Sequence, residues 1–153
     1  MKADTRLFGQ IEIEPEKIIE MEQGLIGFPD LKHFTLIYDS EREQKSAIIW
    51  LQSMDDGDVA MPVMVPTDLI PDYQPTVNNE LLEKLGNLTP ENTFLLVTVR
   101  VPENIEDISV NLKAPIIINT DSNKGSQVIV EDDLAVRHKI YALLKSGKEK
   151  AGE

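Results

Sequence analysis

The stretch Ser109-Val110-Asn111-Leu112-Lys113-Ala114-Pro115-Ile116-Ile117-Ile118-Asn119 decides the fold class. Aliphatic residues alternate with polar ones and then run together, the pattern of a strand buried first on one face and then on both. Pro115 has no N–H to donate to a sheet ladder, so the strand lies at an edge, carries a bulge, or breaks there. The polar run from Asn119 to Gly125 is a turn, and Gln127 to Val130 starts a returning strand, which predicts a β-hairpin. The segment holds no catalytic vocabulary and reads as scaffold.

Working outward, the same signals recur along the chain. Thr5 to Glu14 alternates and predicts one strand, and Lys17 to Glu22 a second, ended by Gly24. Further strands are predicted at Phe34 to Asp39, Ala47 to Ser53, Val59 to Val65, Phe94 to Val101, Ile108 to Ile118 and Ser126 to Glu131. Short strands at regular spacing, punctuated by Gly, Pro, Asn and Asp, define an all-β, mainly antiparallel, barrel-like or sandwich architecture. One short helix is predicted near 78–86: Asn78 caps it, Leu81, Leu82 and Leu85 form its apolar stripe, and Gly86 ends it. Residues 133–144 fit a helix or a strand equally well. A single domain over 1–144 and a frayed tail over 145–153 are expected.

Composition removes whole classes of function. The 153 residues include no cysteine, so disulfides, zinc–thiolate centres and cysteine nucleophiles are excluded. The first ten residues lack the apolar run of a secretory leader, and no apolar run approaches a membrane span, so a cytoplasmic protein without membrane contact is expected. The net charge is −12, and residues 1–75 carry −9 of it. Phosphate backbones are repelled by such a surface, which argues against direct nucleic-acid binding, whereas a basic protein partner is attracted. The eight aromatic residues give no stacking platform for single strands.

No chemistry emerges from the motifs. His33 and His138 stand without a nucleophile elbow, and ordinary surface or partly packed roles are the default. The cluster Asp55-Asp56-Gly57-Asp58 fails as a calcium loop, because Pro66 stands where the bidentate glutamate belongs; Asp-Gly between two apolar runs signals a hairpin turn. No glycine-rich phosphate loop is present. No cofactor or metal is predicted, and the reading is of a binding protein. The competing reading is a small β-barrel enzyme or ligand-binding module that uses carboxylates such as Asp72 with Glu103 or Glu106, and a polar cavity would favour it. Candidate partner-binding residues are the turn carboxylates Asp55, Asp56, Asp58, Glu103, Glu106 and Asp107, with Tyr73 as an aromatic anchor in an exposed turn. Phe28, Phe34 and Trp50 are expected in the core, and Gln52 is expected to satisfy backbone groups inside a barrel.

Five segments, in order, resemble the FliW family of flagellar assembly factors. These are Gly24-Leu25-Ile26-Gly27-Phe28-Pro29-Asp30-Leu31-Lys32-His33-Phe34, Trp50-Leu51-Gln52-Ser53, Pro71-Asp72-Tyr73, Leu96-Val97-Thr98-Val99 and the opening stretch Ser109 to Asn119. At the C-terminal end Leu134 stands where the family often carries an aromatic residue before the valine. The resemblance implies a mostly antiparallel β-barrel-like protein with two partners, flagellin and the small RNA-binding translational repressor CsrA. In that scheme flagellin holds the factor until export depletes it; the freed factor then captures CsrA and relieves repression of flagellin translation.

Overall fold

The computed structural model describes residues 1–38 and 48–145. Eleven strands are arranged in chain order: β1 (Lys2–Thr5), β2 (Gly9–Glu12), β3 (Ile19–Glu20), β4 (His33–Ile37), β5 (Ile49–Ser53), β6 (Ala60–Met64), β7 (Thr93–Arg100), β8 (Ser109–Val110), β9 (Ile116–Asn119), β10 (Lys124–Gln127) and β11 (His138–Lys139). One α-helical turn, α1 (Asn79–Leu82), continues as a 3-10 turn over Glu83–Leu85. The predicted ends of two strands, Asp39 and Ala47, and residues 146–153 of the expected tail lie outside the described residues, while Lys145, expected to begin that tail, is the last described residue of a helix.

Neighbouring strands run β7-β6-β5-β4-β3-β10-β9, and β9 pairs back onto β7, so seven strands close a barrel. All pairs in the ring are antiparallel except β3 with β10, where Lys124 faces Glu20. Closure leaves the ring without an open edge, the usual hazard of a β-sheet. The alternation along each strand sets what fills it. Phe34, Ile49, Leu51, Val63, Leu96, Ile116 and Ile118 point inward and form one continuous cluster with Ile19, Met21 and Leu25.

The isoleucine run shows why both faces of β9 are apolar. Ile116 and Ile118 fill the barrel, while Ile117 faces outward against Leu85 and Val128. The outer face of β7 is likewise buried: Val97 and Val99 pack with Met64, Tyr73, Ile108, Val110, Leu112 and Ile140. Pro115 breaks the predicted long strand rather than bulging it. Asn111 Oδ1 accepts the N–H groups of Lys113 and Ala114, turning the chain between β8 and β9. β8 and β9 therefore use successive stretches of the same edge of β7.

Several expectations need correction. Thr5 to Glu14 is not one strand but a hairpin, β1 with β2, because the Thr5 hydroxyl donates to the Gly9 carbonyl at 2.7 Å and accepts the Phe8 N–H at 3.0 Å. Residues 133–144 contain both alternatives, the short strand β11 and a helix over 141–145. The Asn78 cap holds, with its side chain accepting the Glu80 N–H; Leu82 and Leu85 pack beneath, while the Leu81 side chain is outside the described set. Phe34 is fully buried as expected. Trp50 is not: it lies on the outer face of β5, half-covered, with the Phe8 ring edge-on at 6.4 Å. Phe28 is exposed, because it sits on a loop over the end of the barrel rather than on a strand.

Candidate partner-binding surface

Strand register sorts the loops by end. Val63 lies opposite Thr98, which brings the start of β6 beside the end of β7. Phe34 faces both Ser53 and Ile19, so β4 begins where β5 and β3 finish. The segment between β3 and β4, the β5–β6 turn and the β7–β8 loop therefore leave one end of the barrel together. Six of the sequence-selected carboxylates lie there: Asp55, Asp56 and Asp58 on the β5–β6 turn, and Glu103, Glu106 and Asp107 on the β7–β8 loop. All six are exposed.

They are not equivalent. Asp55 fastens the β5–β6 turn to the start of β4, accepting the N–H groups of Lys32 and His33 at 2.7 and 2.9 Å. Partial burial pushes its pKa up, but those two backbone hydrogen bonds and the His33 ring outweigh it and hold the carboxyl below its ordinary value. Asp55 is thus a structural clip rather than a free surface charge. Asp56 accepts the Asp58 N–H and otherwise projects outward, as Asp58 does. Asp107 is 3.5 Å from Lys139, a pair exposed enough to be screened by solvent.

The turn itself is built from inside. Gln52 is fully buried, but on the outer face of β5 rather than inside the barrel, and its amide donates to the carbonyls of Ser53, Gly57 and Val59. The Ser53 hydroxyl accepts the N–H groups of Asp55 and Asp56. The β1–β2 hairpin closes over the turn, with Arg6 donating its N–H to the Gly57 carbonyl. A Cβ on Gly57 would lie 1.9 Å from the Asp4 carbonyl oxygen, so only glycine permits this approach.

Tyr73 is placed in the core, 6% exposed, not on an exposed turn. Its hydroxyl donates to the Leu112 carbonyl at 2.6 Å, and burial, assisted by the Asp132 charge, pushes its pKa up to about 12. Its aromatic body completes the outer core, so it anchors the 65–75 segment rather than presenting itself to a partner. Asp72 beside it is exposed. Among the described residues no carboxylate is buried, no group of acidic or histidine side chains is arranged to hold a metal, and the barrel interior is aliphatic around Phe34. Among the described residues no helix is long and apolar enough to cross a membrane.

The sequence reading missed the segment over the barrel mouth. Met21 and Leu25 plug the barrel, while Ile26, Gly27, Phe28, Pro29 and Asp30 are consecutively exposed. The closely spaced pair Gly24 and Gly27, both at positive φ, is the signal in the sequence that marks this turn, whereas the aromatic character of Phe28 points to core.

The architecture is a closed seven-stranded, mainly antiparallel barrel with an acidic end and an aliphatic interior. The family model described as FliW protein matches residues 2–140. The chain is 41% identical over 151 residues to the flagellar assembly factor FliW of Lachnoclostridium phytofermentans, covering 97% of each chain. It is 43% identical over 147 residues to that of Lachnospira eligens, covering 95% of this chain and 97% of the relative. A crystal structure of the flagellar assembly factor FliW superposes with a TM-score of 0.83 at 30% identity, over 92% of this chain and 97% of the other. The chain belongs to the FliW family.

Proposed function

We propose that this protein is a non-enzymatic, cytoplasmic flagellar assembly factor that binds flagellin and, when flagellin is scarce, captures the translational repressor CsrA. Its working unit in this reading is the domain over 1–144. Membership of the FliW family supports the assembly role. The observation that carries the antagonist role is the acidic end of the barrel on a body of net charge −12. Held beside a basic RNA-binding surface, that charge raises the free energy of an approaching RNA without covering its site. The aliphatic interior weighs against the carboxylate-enzyme alternative, which needs convergent polar groups in a cavity.

Co-purification with flagellin and with CsrA, separately and in competition, tests the partner set. In a mobility-shift assay the protein alone should leave RNA unshifted and should weaken the CsrA–RNA complex when added to it. Direct RNA binding at physiological salt would contradict the electrostatic argument.

A further inference from the structure

The exposed apolar loop over the barrel mouth is closed by its own backbone hydrogen bonds, which distinguishes a built display from an unpaired connection. Leu25 and Phe28 exchange backbone hydrogen bonds at 3.1 and 2.8 Å, and the Gly24 N–H donates to Met21 at 2.9 Å. Gly24 and Gly27 hold positive φ, +65° and +93°, and a Cβ on Gly24 would lie 2.3 Å from the Phe28 carbonyl oxygen. The plug residues Met21 and Leu25 are buried beneath. The loop thus turns Ile26, 55% exposed, and Phe28, 37% exposed, out to solvent.

A second segment completes the surface. Gln127 Oε1 accepts the Ile26 N–H at 2.9 Å, while its amide nitrogen donates to the Ala114 carbonyl. Past β10 the chain stays extended, with Val128 and Val130 donating to the Pro115 and Lys113 carbonyls and burying their side chains. Ile129, two residues from Gln127, shares its face and is 62% exposed. Ile26 and Ile129 therefore flank one bridging amide. Around them lie carboxylates: Asp30 on the loop, Glu131 beyond Ile129, and the turn that Asp55 clips to Lys32 and His33. Lys32, the cation of this loop, is engaged, its ammonium donating to the Glu22 carbonyl.

We propose that the barrel mouth, with Ile26, Phe28 and Ile129 at its centre, docks a protein surface that is apolar at its middle and basic at its rim. An apolar centre with a charged border is the anatomy of a specific interface. The acidic border favours a basic partner and disfavours a second copy of this chain, which carries −12 itself. The proposal rests on the functional reading above, in which the basic partner is CsrA, and makes the apolar loop the source of affinity and the acidic turns the source of steering.

The test uses the whole protein with CsrA as the probe. Ile26→Ser and Ile129→Ser should each weaken binding about tenfold or more, the loss expected from one buried aliphatic side chain. Both variants should melt like the parent, because neither side chain is in the core. Val136→Ser, an equally exposed residue on the C-terminal segment, should bind as the parent does. Unchanged affinity in both isoleucine variants would overturn the docking surface while leaving the functional reading intact, and so would an equal loss in Val136→Ser. A parent that fails to bind CsrA would overturn the functional reading instead. Loss of flagellin binding with CsrA binding retained would overturn the assignment of this surface to the basic partner.

Discussion

His33 meets Asp55 twice, through its backbone N–H at 2.9 Å and through its ring Nδ1 at 3.0 Å, so one carboxylate ties two strands' ends together across 22 residues of chain. A turn charge chosen on electrostatic grounds is thereby a clip. Asp55→Asn should cost about 1 kcal/mol at neutral pH, the worth of one charge-assisted hydrogen bond at a partly exposed site. Because the folded carboxyl sits below its ordinary value, its contribution is complete above pH 3.8 and disappears as pH falls through the lower folded value. Urea unfolding across that range should show the gap between parent and variant closing in acid.

Asp56 and Asp58 carry no such structural bond to another strand. Reversing both to lysine should leave the melting temperature nearly unchanged. Association with CsrA should slow and its salt dependence flatten, since rim charges act mainly on the on-rate. Stopped-flow rates at low and high salt decide it: identical rates and slopes would remove this turn from the steering surface.

Gly57→Ala places a methyl group against the Asp4 carbonyl, and the β1–β2 hairpin must lift to relieve it. A loss of about 1–3 kcal/mol is expected from such overpacking. Trp50, the single tryptophan, reports the event, because the hairpin brings Phe8 to its ring. An unchanged emission spectrum together with unchanged stability would show that the hairpin accommodates the methyl without moving.

Phe34 and Trp50 separate the inner core from the outer face. Phe34→Ala empties a fully buried site and should cost about 3–5 kcal/mol. Trp50→Ala removes a half-covered ring and should cost clearly less by the same denaturation measurement. Equal losses would place the hairpin contact on the same energetic footing as the barrel interior.

Tyr73→Phe leaves the Leu112 carbonyl buried without its donor, at a cost of about 1–2 kcal/mol. The raised pKa gives a second signature. The neutral phenol's contribution is complete below pH 10 and is lost as pH rises toward about 12, so the parent's advantage should narrow only in strong alkali. A gap that instead narrows below pH 9 would contradict the buried hydrogen bond.

The chain's local patterns determined a great deal. The apolar strand signals near 34–39, 47–53, 59–65 and 94–101, the Asp-Gly turn and the Asn78 cap are set by contacts within a few residues, and β4, β5, β6, β7, the turn and the cap are found close to those places. At Pro115 the residue type left an edge, a bulge or a break open, and the structure takes the break. The net charge and the missing cysteines likewise needed no coordinates. What tertiary structure decided are the contacts made across long stretches of chain: β9 closing on β7, Asp55 clipping His33, Asp4 crowding Gly57, Tyr73 reaching Leu112. Apolarity alone does not say which side of a closed sheet a residue faces, nor whether another segment covers it. Phe28 and Trp50 therefore read as core when one is displayed at the barrel mouth and the other half-shielded by a hairpin, while Tyr73 read as surface and is buried. Burial is a property of the closed barrel and of what lies over it, and no local stretch of sequence contains that information.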